Sequence, residues 1–182
     1  MADKHKTLSH ANLWWAKNSS PRATKIVKIL GGLSDPLVAV QTMDLEILKN
    51  VKRDNIKLET MTDLLAEFRK SDNKVNTDVL VGLPGESLES HLNTLRGVFT
   101  LNYDRVDVGN IRLLPGSEME SDETREKYQL ETKYRLISGG FGEYGGIPIF
   151  EFEESVRASK DIKEEEMISL RLIHFLIWAF WN

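Results

Sequence analysis

The sequence predicts an α/β fold: about three parallel strands with helices between them, followed by a C-terminal α+β extension. Three observations lead there. Short apolar runs of strand length alternate with stretches whose apolar residues recur at helical spacing, the pattern of βα units in a parallel sheet. Residues 77–87, TDVLVGLPGES, read as a buried strand that ends in a Gly/Pro turn and feeds directly into a helix, half of a βαβ unit. After Pro115-Gly116 the alternation stops, and a glycine-rich stretch, one alternating strand and a very apolar helix take its place.

In chain order, residues 1–11 are expected to be poorly ordered and 12–18 to hold the tail of a strand. Ser20-Pro21 starts a helix, with Ser as N-cap and Pro at the first helical position. Ile26, Val27, Ile29 and Leu30 recur at helical spacing, and Gly31-Gly32 stops the helix. Residues 37–41 form a short buried strand and 44–51 a short helix. A longer amphipathic helix over 57–70 turns Leu58, Met61, Leu64, Leu65 and Phe68 inward. The helix after the 77–87 turn carries Leu88, Leu92, Leu95, Val98 and Phe99, and a strand follows over 105–114. These strands make half of a barrel or part of an open sheet. In the extension, 122–127 form a helical turn, and the glycines from Gly139 to Gly146 make a mobile stretch around Phe141 and Tyr144. Residues 147–158 alternate as a strand with one wet face. Asp161 and Glu164 have capping-box spacing before a last helix over 163–181. The division expected is 1–11, 12–116 and 117–182.

Composition narrows the function. The chain has 182 residues, 41% hydrophobic and 29% charged, as in an ordinary globular domain. A net charge of −4 argues against a nucleic-acid partner, which needs a basic field. The polar start MADKHKTLSH is unlike a signal peptide, no apolar run is long enough for a membrane span, and a cytoplasmic setting is the default expectation. The chain has no cysteine, which excludes disulfides, thiolate nucleophiles and a cysteine-ligated iron–sulfur cluster on its own residues.

Ligands of parallel α/β folds sit beyond the carboxyl ends of the strands. Gln41 ends the first full strand, Arg53 follows the next short helix, and Asp78 lies in the second strand. An amide, a cation and a carboxylate in one crevice could hold a zwitterion, with Arg on an acid group and Asp on hydroxyls. Each also has an ordinary reading: a turn residue, a solvated helix end and a cap. His5, His10, His91 and His174 are scattered, and His174 on its apolar helix reads as a satisfied core histidine. No metal site is expected.

Six stretches carry a resemblance: WWAKNSSPRATKIVKILGGL, VAVQTMDLEILKNVKRDNI, TDVLVGLPGESLESHLNTL, DRVDVGNIRLLPGSEM, REKYQLETKYRLISGGFGEYGG and IHFLIWAFWN. In order and spacing the chain resembles the later part of the catalytic region of radical S-adenosylmethionine (SAM) enzymes, in the subgroup that usually carries a cobalamin-binding domain. The resemblance implies a partial TIM-like (βα) barrel: the end of the third unit, then the fourth to sixth strands and a C-terminal extension. It implies that Gln41 touches the nucleoside or methionine part of SAM, that Arg53 pairs with the methionine carboxylate, and that Asp78 takes the ribose hydroxyls. Gly82 and Leu83 would lie against the adenine, with Leu114 and Pro115 lining the same pocket. Asn110, Arg112, Phe141 and Tyr144 are the substrate-side candidates.

The family holds a four-iron four-sulfur cluster on a CxxxCxxC loop that this chain lacks. The resemblance therefore implies a fragment, an oxidoreductase or methyltransferase part that supplies some of the SAM cradle and is inactive alone. The cluster, possible cobalamin, a small-molecule substrate and the N-terminal half-barrel would belong to the complete enzyme. The alternative is a non-catalytic binding module on the same scaffold. Half a barrel also leaves a sheet face open. With some of Val38, Val40, Val79, Val81, Val106 and Val108 expected on it, the cover would come from the 117–182 extension or from a two-fold homodimer, with a lean toward the dimer.

Overall fold

The computed structural model describes residues 10–11, 21–71 and 73–182. The expectations for residues 1–9, the strand tail at 12–18 and the Ser20 cap lie outside the described residues.

Helix α1 (Pro21–Leu30) runs into a single 3-10 turn, Gly31–Leu33. A ribbon over 37–41 follows, then α2 (Leu45–Asn50), α3 (Leu58–Arg69), strand β1 (Asn76–Val81), α4 (Leu88–Thr100) and strand β2 (Arg105–Asn110). Asp44 caps α2 by accepting the N–H groups of Glu46 and Ile47, and Ser87 caps α4 in a reciprocal box with Ser90. β1 and β2 pair in parallel, with Asp78 opposite Asp107 and Val79 opposite Val108. The 37–41 ribbon lies on the other side of β1, also parallel, but pairs only through bridges at Leu37–Asn76 and Gln41–Val79. Between them the Thr77 hydroxyl takes the place of a ladder partner: it donates to Val38 O at 2.9 Å and accepts from Val40 N–H at 3.2 Å.

The core lies under the helices. Val38, Val40, Val79 and Val106 pack with Met61, Leu65 and Phe68 of α3 and Leu95 and Val98 of α4. This corrects the expectation that the valines line the open face. They are the outer, helix-covered row, with Val81 buried in a neighbouring cluster and Val108 packed against the main one. Each buried valine contributes roughly 1.5–3 kcal/mol there. The alternate row carries Asn76, Asp78, Arg105 and Asp107. No valine of this set is left wet for a second copy to cover. Apolar surface is instead exposed on the last helix, at Phe175, Trp178 and Phe180, and on the far half of a hairpin.

The third predicted strand is shorter than expected. It leaves the parallel sheet at Asn110, and Arg112–Leu113 (β3) joins an antiparallel sheet, pairing with the strand over 147–158, which pairs in turn with the strand over 131–144. A short helix α5 (Asp122–Tyr128) precedes strands β4 (Glu131–Tyr144) and β5 (Ile147–Ala158). The glycine-rich stretch is thus mostly strand: Gly139 takes φ +77° where the β4–β5 register shifts between Leu136 and Phe141. β5 has the bounds read from its alternation, but its first six residues are exposed on both faces.

Helix α6 (Glu164–Phe180) returns to the first half of the chain. Glu166, and not Asp161, closes its start by accepting the Lys163 N–H at 2.8 Å. Met167 and Leu170 pack with Val81 and Ile162, and Ile177 enters the core beside β2. Beyond α6, the Asn182 amide accepts from Val106 N–H at 2.9 Å and donates to Val106 O at 3.1 Å. It occupies the hydrogen-bonding edge that β2 would otherwise present.

Candidate functional site

Gln41 ends the 37–41 ribbon, Arg53 reaches its backbone at Ala39, and Asp78 lies two residues into β1. Gln41 stands in the left-handed region at φ 60°, fixed by its N–H to Asp78 O at 2.7 Å and its carbonyl accepting Leu80 N–H at 2.9 Å. Asn55 holds the same bend from below, donating to Val40 O at 3.0 Å and Thr42 O at 2.7 Å.

Arg53 is turned inward and is only 8% exposed. Its Nη2 donates to Ala39 O at 2.9 Å and its Nε to Asn55 Oδ1 at 3.0 Å. Its Nη1 is buried with no hydrogen-bond partner among the described residues. Burial lowers the guanidinium pKa, and the nearby Asp78 charge opposes that. A buried cationic donor left open costs free energy unless something accepts from it.

Asp78 is half-buried on the inner row of β1. Burial raises its pKa first and the charge of Asp107, directly opposite on β2, raises it further, while Arg105 and Arg53 work against both. Arg105 is committed to Asp107 through two bonds of 2.9 and 3.1 Å. Asp78 therefore keeps acceptor capacity on the open face.

Gly82 and Leu83 form the turn beyond β1. Gly82 has φ +89°, and a Cβ there would stand 3.2 Å from Met167 Cε and 3.3 Å from Ile111 Cγ2. Gly85 has φ +88°, and a Cβ would meet Asn50 Nδ2 at 2.6 Å, where Asn50 ties the turn to α2 through Pro84 O. Both positions require glycine. Leu83 is only 1% exposed and Gly82 is buried as well, so the turn itself is covered.

The turn is held by a buried polar chain that sequence reading missed. Glu86 is fully buried and accepts from Gly82 N–H at 2.7 Å and Leu83 N–H at 3.2 Å. Its other oxygen meets His91 Nδ1 at 3.0 Å, and His91 Nε2 meets His174 Nε2 at 2.9 Å. Two histidines that are 83 positions apart thus link α6 to the turn. Burial, with the His91 charge second, lowers the His174 pKa to about 4, so this ring is neutral at pH 7. The core reading of His174 agrees with this placement; nothing in the sequence pairs it with His91.

The remaining predicted residues lie apart. Leu114, 63% exposed, and Pro115 line a hollow of about 580 Å³ with Tyr134, Phe150 and Phe152. Arg53 borders a different hollow of about 720 Å³ with Met43, Leu48, Ile56 and Met61. Neither hollow includes Gln41 or Asp78. Asn110 and Arg112 border a third, while Phe141 and Tyr144 are exposed on the far half of the hairpin. Among the described residues no group of His, Asp and Glu is arranged to hold a metal ion, and no helix is long and apolar enough to cross a membrane.

No protein-family model matches the chain. The cobalamin-dependent radical SAM methyltransferase TokK of Streptomyces tokunonensis is 25% identical over 65% of this chain and 18% of its own length. The chain is homologous to part of the radical SAM enzymes. The heme chaperone HemW of Buchnera aphidicola is 25% identical over 74% of the chain and 32% of its own length. A probable threonylcarbamoyladenosine tRNA methylthiotransferase of Pyrococcus abyssi is 32% identical over 43% of the chain and 19% of its own length. Among solved structures, the radical SAM methyltransferase TsrM of Kitasatospora setae superposes with a TM-score of 0.51 at 19% identity, over 65% of this chain and 23% of that one, a likeness of fold. The chain thus spans about a third or less of the curated relatives it matches, and with no cysteine it supplies no thiolate for a cluster.

Proposed function

We propose that this chain contributes part of a SAM cradle to a radical SAM oxidoreductase or methyltransferase, and that it is not catalytic by itself. The observation that carries the reading is Arg53: a buried guanidinium with one nitrogen unpaired among the described residues, close enough to Asp78 for their charges to interact. These residues fit the two ends of a zwitterionic nucleoside. Arg53 Nη1 would hold the methionine carboxylate, Asp78 would accept the ribose hydroxyls, and Gln41 would contact the nucleoside or methionine part. Gly82 and Leu83, with their N–H groups held by Glu86, would lie against the adenine. Leu114 and Pro115 belong to the same proposed lining only if the second hollow joins the first when the rest of the barrel is present.

When bound, SAM supplies a sulfonium that reduction or methyl transfer can open. This chain's residues bind and orient. A four-iron four-sulfur cluster, cobalamin where used, and the N-terminal half-barrel would come from elsewhere in the complete enzyme.

The test is a SAM titration of the 182-residue chain followed by backbone NMR. The expected result is weak, millimolar-range binding that shifts amides in 39–41 and 78–83 and disappears in Asp78→Ala. Sub-micromolar binding would contradict a partial cradle. An absence of shifts in those segments would contradict the placement.

A further inference from the structure

Beyond β2, a hollow of about 620 Å³ opens where Val108, Gly109 and Asn110 end the parallel sheet. Five cations line it: Arg112 from β3, Lys133 and Arg135 from β4, Arg157 from β5 and Arg171 from α6. Two carboxylates serve them. Glu153 pairs with Arg112 at 3.0 Å and with Arg135, and Glu164 pairs with Lys133 at 2.8 Å and more loosely with Arg157 at 3.4 Å. Arg171 has no hydrogen bond or ion pair to any described residue. Five cations against two carboxylates leave three positive charges in excess, in a chain whose net charge is −4.

Like charges converging from four separate elements cost folding free energy unless a counter-ion joins them. Four of the five are arginines, whose planar forks match oxyanions better than an ammonium does. The hollow also lies at the carboxyl end of a parallel strand, the side on which such folds take ligands.

We infer that this hollow receives an oxyanion-rich group, phosphate or polycarboxylate, of a small-molecule substrate. Arg171 is its uncommitted donor, and the arginines at 112, 135 and 157 exchange part of their pairing with Glu153 and Glu164 for the ligand. The inference rests on reading the inner face of the sheet as the reaction side. Its ligand and its residues are separate from the SAM contacts, so the two can fail independently.

The test is a titration of the full chain with pyrophosphate and with citrate at constant ionic strength, by calorimetry and backbone NMR. At least one should bind with a saturable isotherm and shift amides at 108–112, 133–135 and 155–157. Pyrophosphate alone would identify a phosphate source, and citrate binding as tightly would identify a polycarboxylate. Arg171→Gln should weaken binding about tenfold, the worth of one charge-assisted contact, and leave the SAM-induced shifts at 78–83 unchanged. Arg135→Gln, at an exposed position, provides a second variant if Arg171→Gln folds poorly. Lys25→Gln on α1 is the control and should bind like the parent. Anions no better than chloride, or both arginine variants binding like the parent, would overturn the inference.

Discussion

Replacing Glu86 by alanine should unfold this chain far more easily than its position in a loop suggests. Glu86 is fully buried, and its carboxylate is the acceptor for the Gly82 and Leu83 amides and for His91. Alanine leaves two buried N–H groups with no acceptor, at about 1–3 kcal/mol each. Removing a desolvated carboxylate returns part of that. We expect a net loss of about 3–4 kcal/mol, which for a chain of this size lowers Tm by roughly 6–16 °C. Urea unfolding monitored by far-UV circular dichroism measures the loss directly, as a lower midpoint with an unchanged m-value. Hydrogen exchange separates cause from consequence: the Gly82 and Leu83 amides should lose protection first, before the amides of β1. Glu86→Gln keeps an oxygen facing the two amides and should cost about half as much. If Glu86→Ala unfolds within about 1 kcal/mol of the parent, the turn is held by something other than this carboxylate and the reasoning is refuted.

Other outcomes follow from the same interactions. Because the His174 pKa is lowered to about 4 from an unfolded value near 6.5, the unfolded state binds the extra proton between those limits. Stability is therefore complete above about 6.5 and declines as pH falls toward 4, by up to about 1–3 kcal/mol for a partly solvated ring. His174→Gln should flatten that part of a Tm-against-pH curve. The Arg125 guanidinium holds the Glu154 carboxyl at about 2 through bonds of 2.6 and 2.7 Å, with burial opposing and Thr132 helping. This pair contributes above about pH 4.5 and is lost as pH falls toward 2. Arg125→Ala should cost about 2–4 kcal/mol at neutral pH by stranding a carboxylate that is 9% exposed. Asp78→Asn should do the reverse, stabilising by about 0.2–1 kcal/mol because it removes a like charge directly opposite Asp107. Since the Asp78 pKa is raised, the parent loses stability as pH climbs from the usual carboxylate range through that raised value, and the Asn variant does not. The same variant should weaken SAM binding, a stability gain set against function.

The βα alternation and the turn at 82–85 were legible because period, Gly/Pro punctuation and caps are local signals. The direction of the strand faces was not. Period 2 says that Val79 and Val81 share a face and that Asp78 has the other, but it does not say which face the helices cover. In this fold the amphipathic faces of α3 and α4 take the valine row, so the polar row points to the open side. The 131–144 strand was hidden by its glycines, whose conformational freedom reads as a loop until a partner strand pairs with them. The Glu86–His91–His174 chain joins residues far apart in sequence, and a single sequence carries no record of such a contact. For the site, Gln41, Arg53 and Asp78 could be named from position along the strands, but not that Arg53 would keep a nitrogen open. Asn55, which supports both Arg53 and the Gln41 bend, could be read only as part of the turn that breaks the short helix.

The central claim is that the open nitrogen of Arg53 is the receptor for the methionine carboxylate of SAM. It is tested by titrating the parent and Arg53→Gln chains with SAM and with 5′-methylthioadenosine, which keeps the nucleoside and lacks the carboxylate. The account predicts that the parent prefers SAM by about tenfold, as one charge-assisted hydrogen bond warrants, and that Arg53→Gln binds the two alike while keeping the parent's amide spectrum outside 39–55. Equal affinity of the parent for both ligands, or a preference that survives in Arg53→Gln, would contradict it.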